Sequence, residues 1–171
     1  MYFEDESRFG LFTKEGRMLT AKGVKPICVS HQEYCSTWLF GAFSPITGDD
    51  FLLEFPCCNA DNFQIFLDEL SEENPKTLII MVLDNGSFHK AKKLKIPDNI
   101  KLVFLPPYSP ELNPAEKMWA RFKRAFTNKL FKSLDEVSLF IESTANEINS
   151  AIVRSTCAYK YIFFDTFWNE I

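Results

Sequence analysis

KLVFLPPYSPELNPAEKMWARFKR, residues 101–124, joins three kinds of local grammar in one run. KLVFL (101–105) is short and mostly apolar, as expected of a strand buried on both faces. Four prolines then fall within the nine positions from Pro106 to Pro114. Each fixes φ and removes a backbone donor, so the connection is stiff. Behind them Ala115, Met118, Trp119, Phe122, Phe126 and Leu130 recur at helical spacing, with Lys117, Arg121 and Arg124 on the opposite face. The pattern predicts a strand, a rigid turn and an amphipathic helix over about 114–130.

Working outward, TLIIMVLD (77–84) is a second continuous apolar run, the mark of a central strand, and residues 85–100 are just enough for a crossover between parallel strands. Upstream, residues 59–73 begin at Asn59 and place Phe63, Phe66, Leu67 and Leu70 on one helical face. Before that the chain reads as strands: YFED (2–5), GRMLT (16–20), KPICVS (25–30), then 34–43 and 51–55 flanking the turn-rich SPITGDD. Downstream, a helix is predicted over 133–149, with Ser133 and Glu136 as a capping box. An antiparallel meander, then parallel strands, with flanking helices, is an α/β domain with a mixed sheet.

At 171 residues with 46% apolar content and 18 Phe, the chain has the material for one packed domain. No window approaches a membrane span, and the N-terminus MYFEDESRFG carries acids where a signal peptide needs basic residues. These features point to the cytoplasm. Five cysteines (28, 35, 57, 58, 157) lack CxxC spacing, which argues for reduced thiols rather than a disulfide framework or a zinc site. The net charge of −4 hides a split: residues 90–132 hold eleven Lys and Arg against Asp98, Glu111 and Glu116. A local excess of that size is an electrostatic footprint for a polyanion, or a solvated face.

Three acids stand at element ends. Asp84 follows the buried run, Asp5 ends the first strand, and Glu116 opens the helix behind the prolines. Each has a purely structural reading as well. Asp84 in LDNGSFH can hold an Asx turn. Glu116 can close a capping box on Asn113, with Pro114 at the first helical position. Asp5 competes with Glu4 and Glu6, which alternation puts on the other face of the strand. Taken together, two acids from strands and one from a helix start can converge to hold hard divalent cations through oxygen. Phosphodiester cleavage uses such an arrangement, with two ions roughly 3.5–4 Å apart. His89 and Lys90 follow Asp84 and read as an exposed helix start. Tyr108 and Trp119 are candidates for base stacking, Trp119 more simply for core. YKYIFFDTFW (159–168) is expected to dock on the domain or on a partner.

DESRFG (5–10), VLDNGSFHKAK (82–92) and LPPYSPELNPAEKMWARFK (105–123) resemble, in order, the three catalytic motifs of insertion-sequence transposases of the mariner-like superfamily. The third is the most specific, and the three span most of the chain. The resemblance implies an RNase H-like fold and one DDE catalytic domain over 1–171. It implies Asp5, Asp84 and Glu116 as catalytic and metal-binding residues, Mg2+ as cofactor with Mn2+ able to substitute, and DNA cleavage with strand transfer. The implied partners are element-end DNA and a TA-type target. Lys90, Lys92, Lys93, Lys117, Arg121 and Arg124 are the candidate DNA contacts. Family members carry N-terminal helix-turn-helix modules, and none fits ahead of Asp5, which puts sequence-specific end recognition by this chain in doubt; a homodimer or a separate helix-turn-helix polypeptide is the expected partner. A nuclease that cuts without joining, or a DNA-binding or dimerisation remnant, are the alternatives.

Overall fold

The two apolar runs become neighbouring parallel strands, β4 (Ile79–Leu83) and β5 (Ile100–Phe104), at one side of a five-stranded sheet; β5 is its edge rather than a strand buried on both faces, and leaves Val103 and Phe104 partly exposed. The computed structural model describes residues 1–27 and 29–163. Its other strands are β1 (Tyr2–Gly10), β2 (Ser36–Phe43) and β3 (Asp50–Phe55). The spatial order is β3-β2-β1-β4-β5, with β1–β2 and β2–β3 antiparallel and β1–β4 and β4–β5 parallel. This is the expected meander joined to a parallel pair.

Helices cover both faces. On one, α1 (Ala60–Glu73) buries Phe63, Phe66, Leu67 and Leu70 against Phe40, Ala42, Ile79 and Met81. Its start is set by Asn59, whose side-chain oxygen accepts from the Asp61 and Asn62 amides. On the other face lie α2 (Ala115–Phe126), α3 (Leu134–Asn146) and α4 (Ser150–Cys157), packed on Phe9, Leu39 and Phe43. The strands therefore alternate between two cores, and β1 sends Phe3 and Phe9 to the face opposite Tyr2.

Four expectations are corrected. GRMLT and KPICVS are not strands: among the described residues, 11–35 form no regular element. Only the Leu11–Cys35 and Thr13–His31 backbone bonds extend the β1–β2 pairing, and Leu19 and Ile27 stand in solvent, because both sheet faces are already covered. Second, β1 runs nine residues to Gly10, which puts Asp5 in mid-strand rather than at its end. Third, the helix behind the prolines stops at Phe126. Asn128 takes the left-handed φ of 61° and Leu130 is 48% exposed. Fourth, the helix expected over 133–149 is α3, which ends at Asn146, and a separate helix, α4, follows that span, because Asn149 caps a new start by accepting from the Ile152 amide. The Ser133 cap is present, while Glu136 reaches the Lys132 amide one residue earlier than a closed box requires. Tyr159 and Tyr161 pack beside Phe3 and Val82, whereas the rest of the aromatic tail, 164–168, lies outside the described residues.

Candidate active site

β1 and β4 pair as Tyr2 with Met81 and Phe3 with Val82. Two residues further along the same parallel register, β4 has ended and Asp84 comes abreast of Asp5. Adjacent strands lie about 4.8 Å apart, so the chain's pairing alone brings these acids to neighbouring positions. They mark the point where β4 leaves the sheet and β1 continues beside β2 alone, a crevice at the carboxyl end of a parallel strand.

The third acid arrives by packing. Gly41 on β2 is the register partner of Asp5. A Cβ at Gly41 would come within 2.7 Å of Trp119 Cη2, so its absence lets the indole lie flush on the sheet. Trp119 is buried, edge-on to Phe43 with centroids 5.4 Å apart. Glu116 is one helical turn ahead of Trp119 and so is carried over Asp5. The helix start is tied to the same strand. Asn113 Nδ2 donates to the Glu4 carbonyl at 2.9 Å, while its Oδ1 accepts from the Ala115 amide at 3.1 Å. Asn113's own amide donates to Pro110 O at 2.9 Å. That amide is the one a capping box would give to Glu116, so the box is not closed and Glu116 remains exposed on the cleft. Tyr161 buttresses the turn through a hydrogen bond to the Leu112 carbonyl.

Asp5, Asp84 and Glu116 line one cleft of about 470 Å³, walled by Asn85, Gly86, Asn113 and the segment Leu105–Pro110. Tyr108, fully exposed with φ 58°, stands at its mouth. The Asx turn anticipated for Asp84 is also present: its Oδ1 accepts from the Gly86 amide at 2.7 Å. Asp5 feels its surroundings strongly. Burial, then the charges of Glu6, Glu116 and Asp84, push its carboxyl up to about 8. An acid raised by burial and then by neighbouring acids is what a cation-binding donor set looks like before a cation neutralises it.

Glu4 and Glu6 lie on the opposite face of β1, as alternation requires, and meet His89 there. His89 Nε2 is 2.9 Å from Glu6 Oε1 and 3.4 Å from Glu4 Oε2, and Nδ1 is 3.0 Å from Asp84 Oδ1. Glu4 is wholly buried with neither oxygen in hydrogen-bond geometry. Burial, then Glu6, pushes its carboxyl well above the usual range. The reading of His89 as an exposed helix start is therefore overturned: it is 3% exposed. Its ring sits against the adjacent Phe88 and against Phe63 of α1, the latter a contact that local sequence does not display. Trp119 is core, as expected.

The candidate DNA contacts separate into groups. Lys117, Arg121 and Arg124 are exposed along α2, and Lys117 lies 4.0 Å over the Tyr159 ring. A second hollow of about 410 Å³ joins Glu116 to Lys14, Lys123 and Arg124, of which Lys14 had no sequence signal. Lys90, Lys92 and Lys101 edge a groove of about 520 Å³ beside Phe104. Lys93 points elsewhere, paired with Asp61 at 2.5 Å.

Similarity to known proteins runs the same way. Mos1 transposase in its paired-end complex with the left transposon end matches with a TM-score of 0.68 at 18% identity, covering 91% of this chain and 50% of that one. The Mos1 strand transfer complex matches at 0.69 and 19%, with the same coverage. These establish the RNase H-like fold, and the present chain spans about half the length of the transposase it matches. The uncharacterized protein y4pE/y4sA of Sinorhizobium fredii (strain NBRC 101917 / NGR234) is 39% identical over 103 residues, 58% of this chain and 76% of that protein. Residues 1–138 match the model of the DDE superfamily endonucleases, and this chain belongs to that family.

Proposed function

We propose that this chain is the catalytic domain of a transposase, in which Asp5, Asp84 and Glu116 hold divalent cations, Mg2+ with Mn2+ as substitute, for DNA cleavage and strand transfer. The observation that carries the reading is the single cleft lined by all three acids. Two further features favour it: Glu116 is not engaged by its cap, and Asp5 is raised to about 8 by burial and then by its acidic neighbours. When bound, the cations supply Lewis acidity at the attacking and leaving oxygens of the phosphodiester.

The chain's own residues do the rest. Asp84 and Glu116 would hold the cations from the exposed side of the cleft and Asp5 from its half-buried side. The Pro106–Pro114 segment and the Trp119 anchor keep Glu116 from drifting, since such sites tolerate about 0.5 Å of slack. Lys90, Lys92 and Lys101 edge one groove, and Lys14, Lys123 and Arg124 line a hollow shared with Glu116; both suit contact with a DNA backbone. Element-end DNA and a TA-type target are the proposed substrates. A second copy of the chain is a proposed partner, a separate helix-turn-helix polypeptide is the proposed source of end recognition, and the cytoplasmic nucleoid is the proposed location. No described helix is long and apolar enough to cross a membrane.

The test is Asp84→Asn assayed for Mg2+-dependent cleavage of element-end DNA. Cleavage should fall below detection with DNA binding nearly unchanged, because the amide keeps the shape and loses the charge. Cleavage at the wild-type rate would refute the role of Asp84.

A further inference from the structure

The His89 ring spans the gap between the two acidic faces of β1. Nδ1 lies 3.0 Å from Asp84 Oδ1, and the tautomer with its proton on Nδ1 donates to that oxygen. The same oxygen takes the Gly86 amide at 2.7 Å, which leaves Oδ2 as the oxygen without a described partner. At the ring's other end, Nε2 is 2.9 Å from Glu6 Oε1 and is backed by the buried Glu4. Two phenyl groups hold the imidazole plane, with centroids 4.6 Å (Phe63) and 4.1 Å (Phe88) away. Gly86 lets the turn close over the pair: a Cβ there would come within 2.9 Å of Nδ1 and 3.1 Å of Asp84 Oδ1. The result is a buried, fully restrained ring gripping a carboxylate whose side chain is otherwise 60% exposed.

We propose that His89 is a positioning residue: anchored on Glu6 and Glu4, it fixes the Asp84 carboxylate by one oxygen so that the other is presented to the cleft. This rests on the reading of Asp84 as a cation ligand. Hydrogen-bonded partners of ligating carboxylates orient them, and losing such a partner typically weakens metal binding 10–100-fold.

The experiment compares Mn2+ affinity by calorimetric titration of the purified chain for His89→Asn, His89→Gln and Asp84→Asn. Asparagine places its amide nitrogen near Nδ1 and keeps the bond to Asp84. Glutamine places its amide near Nε2, keeping Glu6 and losing Asp84. The two are alike in polarity, so a merely structural role would not separate them. His89→Asn should bind Mn2+ within about threefold of wild type, and His89→Gln about 10–100-fold more weakly, with cleavage recovering at raised Mn2+. Asparagine and glutamine variants that bind Mn2+ alike, strongly or not at all, overturn the proposal while Asp84→Asn loses binding. Retained binding in Asp84→Asn would instead overturn the reading beneath it.

Discussion

Asp5 is the residue on which the cleft's electrostatics converge. Its carboxyl moves from 3.8 to about 8, through burial first and then Glu6, Glu116 and Asp84. A raised acid holds its proton in the folded state over a range where the unfolded chain has released it. Folding therefore loses free energy as pH rises through that window. Glu4, shifted the same way by burial, adds to the slope. The melting temperature of the metal-free protein should fall steadily from about pH 5 to pH 8. Asp5→Asn should flatten part of that slope, and Mg2+ should raise the melting temperature most at the alkaline end, where no proton competes for the carboxylate. Scanning calorimetry across pH, with and without Mg2+, reads all three. A stability that rises with pH over this range would contradict the assignment.

At the scale of elements, the position of α2 is the decisive quantity, and a missing side chain sets it. Gly41 leaves room for Trp119 against β2, with Leu52 and Phe43 also within 2.9 Å of where a Cβ would be. Gly41→Ala overpacks that contact and should destabilise the fold by about 1–3 kcal/mol. The strain falls on the helix that carries Glu116, so Mn2+ affinity should drop with stability. Urea unfolding and metal titration of one variant test both. An alanine tolerated without loss in either would mean that α2 is not seated through this contact. Element identity was readable where it depends on neighbours in sequence. The apolar run 77–84 did become β4, Asn59 and Ser133 do start helices, and the stripe Ala115–Phe126 is buried. Readability failed where tertiary context decides. The 11–35 segment has strand composition but no free sheet face, and Leu130 lies past the turn at Asn128.

For the molecule as a whole, a net charge of −4 coexists with basic flanks on two grooves, one of them shared with Glu116. Phosphate contacts from such flanks release counterions, so affinity for arbitrary duplex should fall linearly in log–log with salt, by about 0.9 per phosphate contacted. Affinity should vary little with sequence, because these contacts position a duplex without reading it. Fluorescence anisotropy over a salt series measures the slope. Strong preference for one sequence at physiological salt would mean that side chains are reaching base edges. Within the set, Lys92→Ala should weaken binding more than Lys93→Ala, whose ammonium is already paired with Asp61.

By itself the sequence determined what short-range physics can encode. The apolar run 77–84 marked the buried strand β4, helical periodicity marked the amphipathic helices, proline stiffness marked the turn before Glu116, and three acids stood in order along the chain. It also placed Asp5 on the face of β1 opposite Glu4 and Glu6, because strand alternation is local. Only the tertiary structure decided how far β1 runs past β4, and hence that Asp5 lies in mid-strand abreast of Asp84. Only it decided that Glu116 leaves its cap open, since that turns on Asn113 reaching the Glu4 carbonyl and Pro110 taking its amide. And only it placed His89 between Phe63 and Phe88 with a carboxylate at each ring nitrogen. Those contacts join residues up to 109 positions apart. Burial and register across such distances are properties of the packed chain, and no local window of sequence contains them.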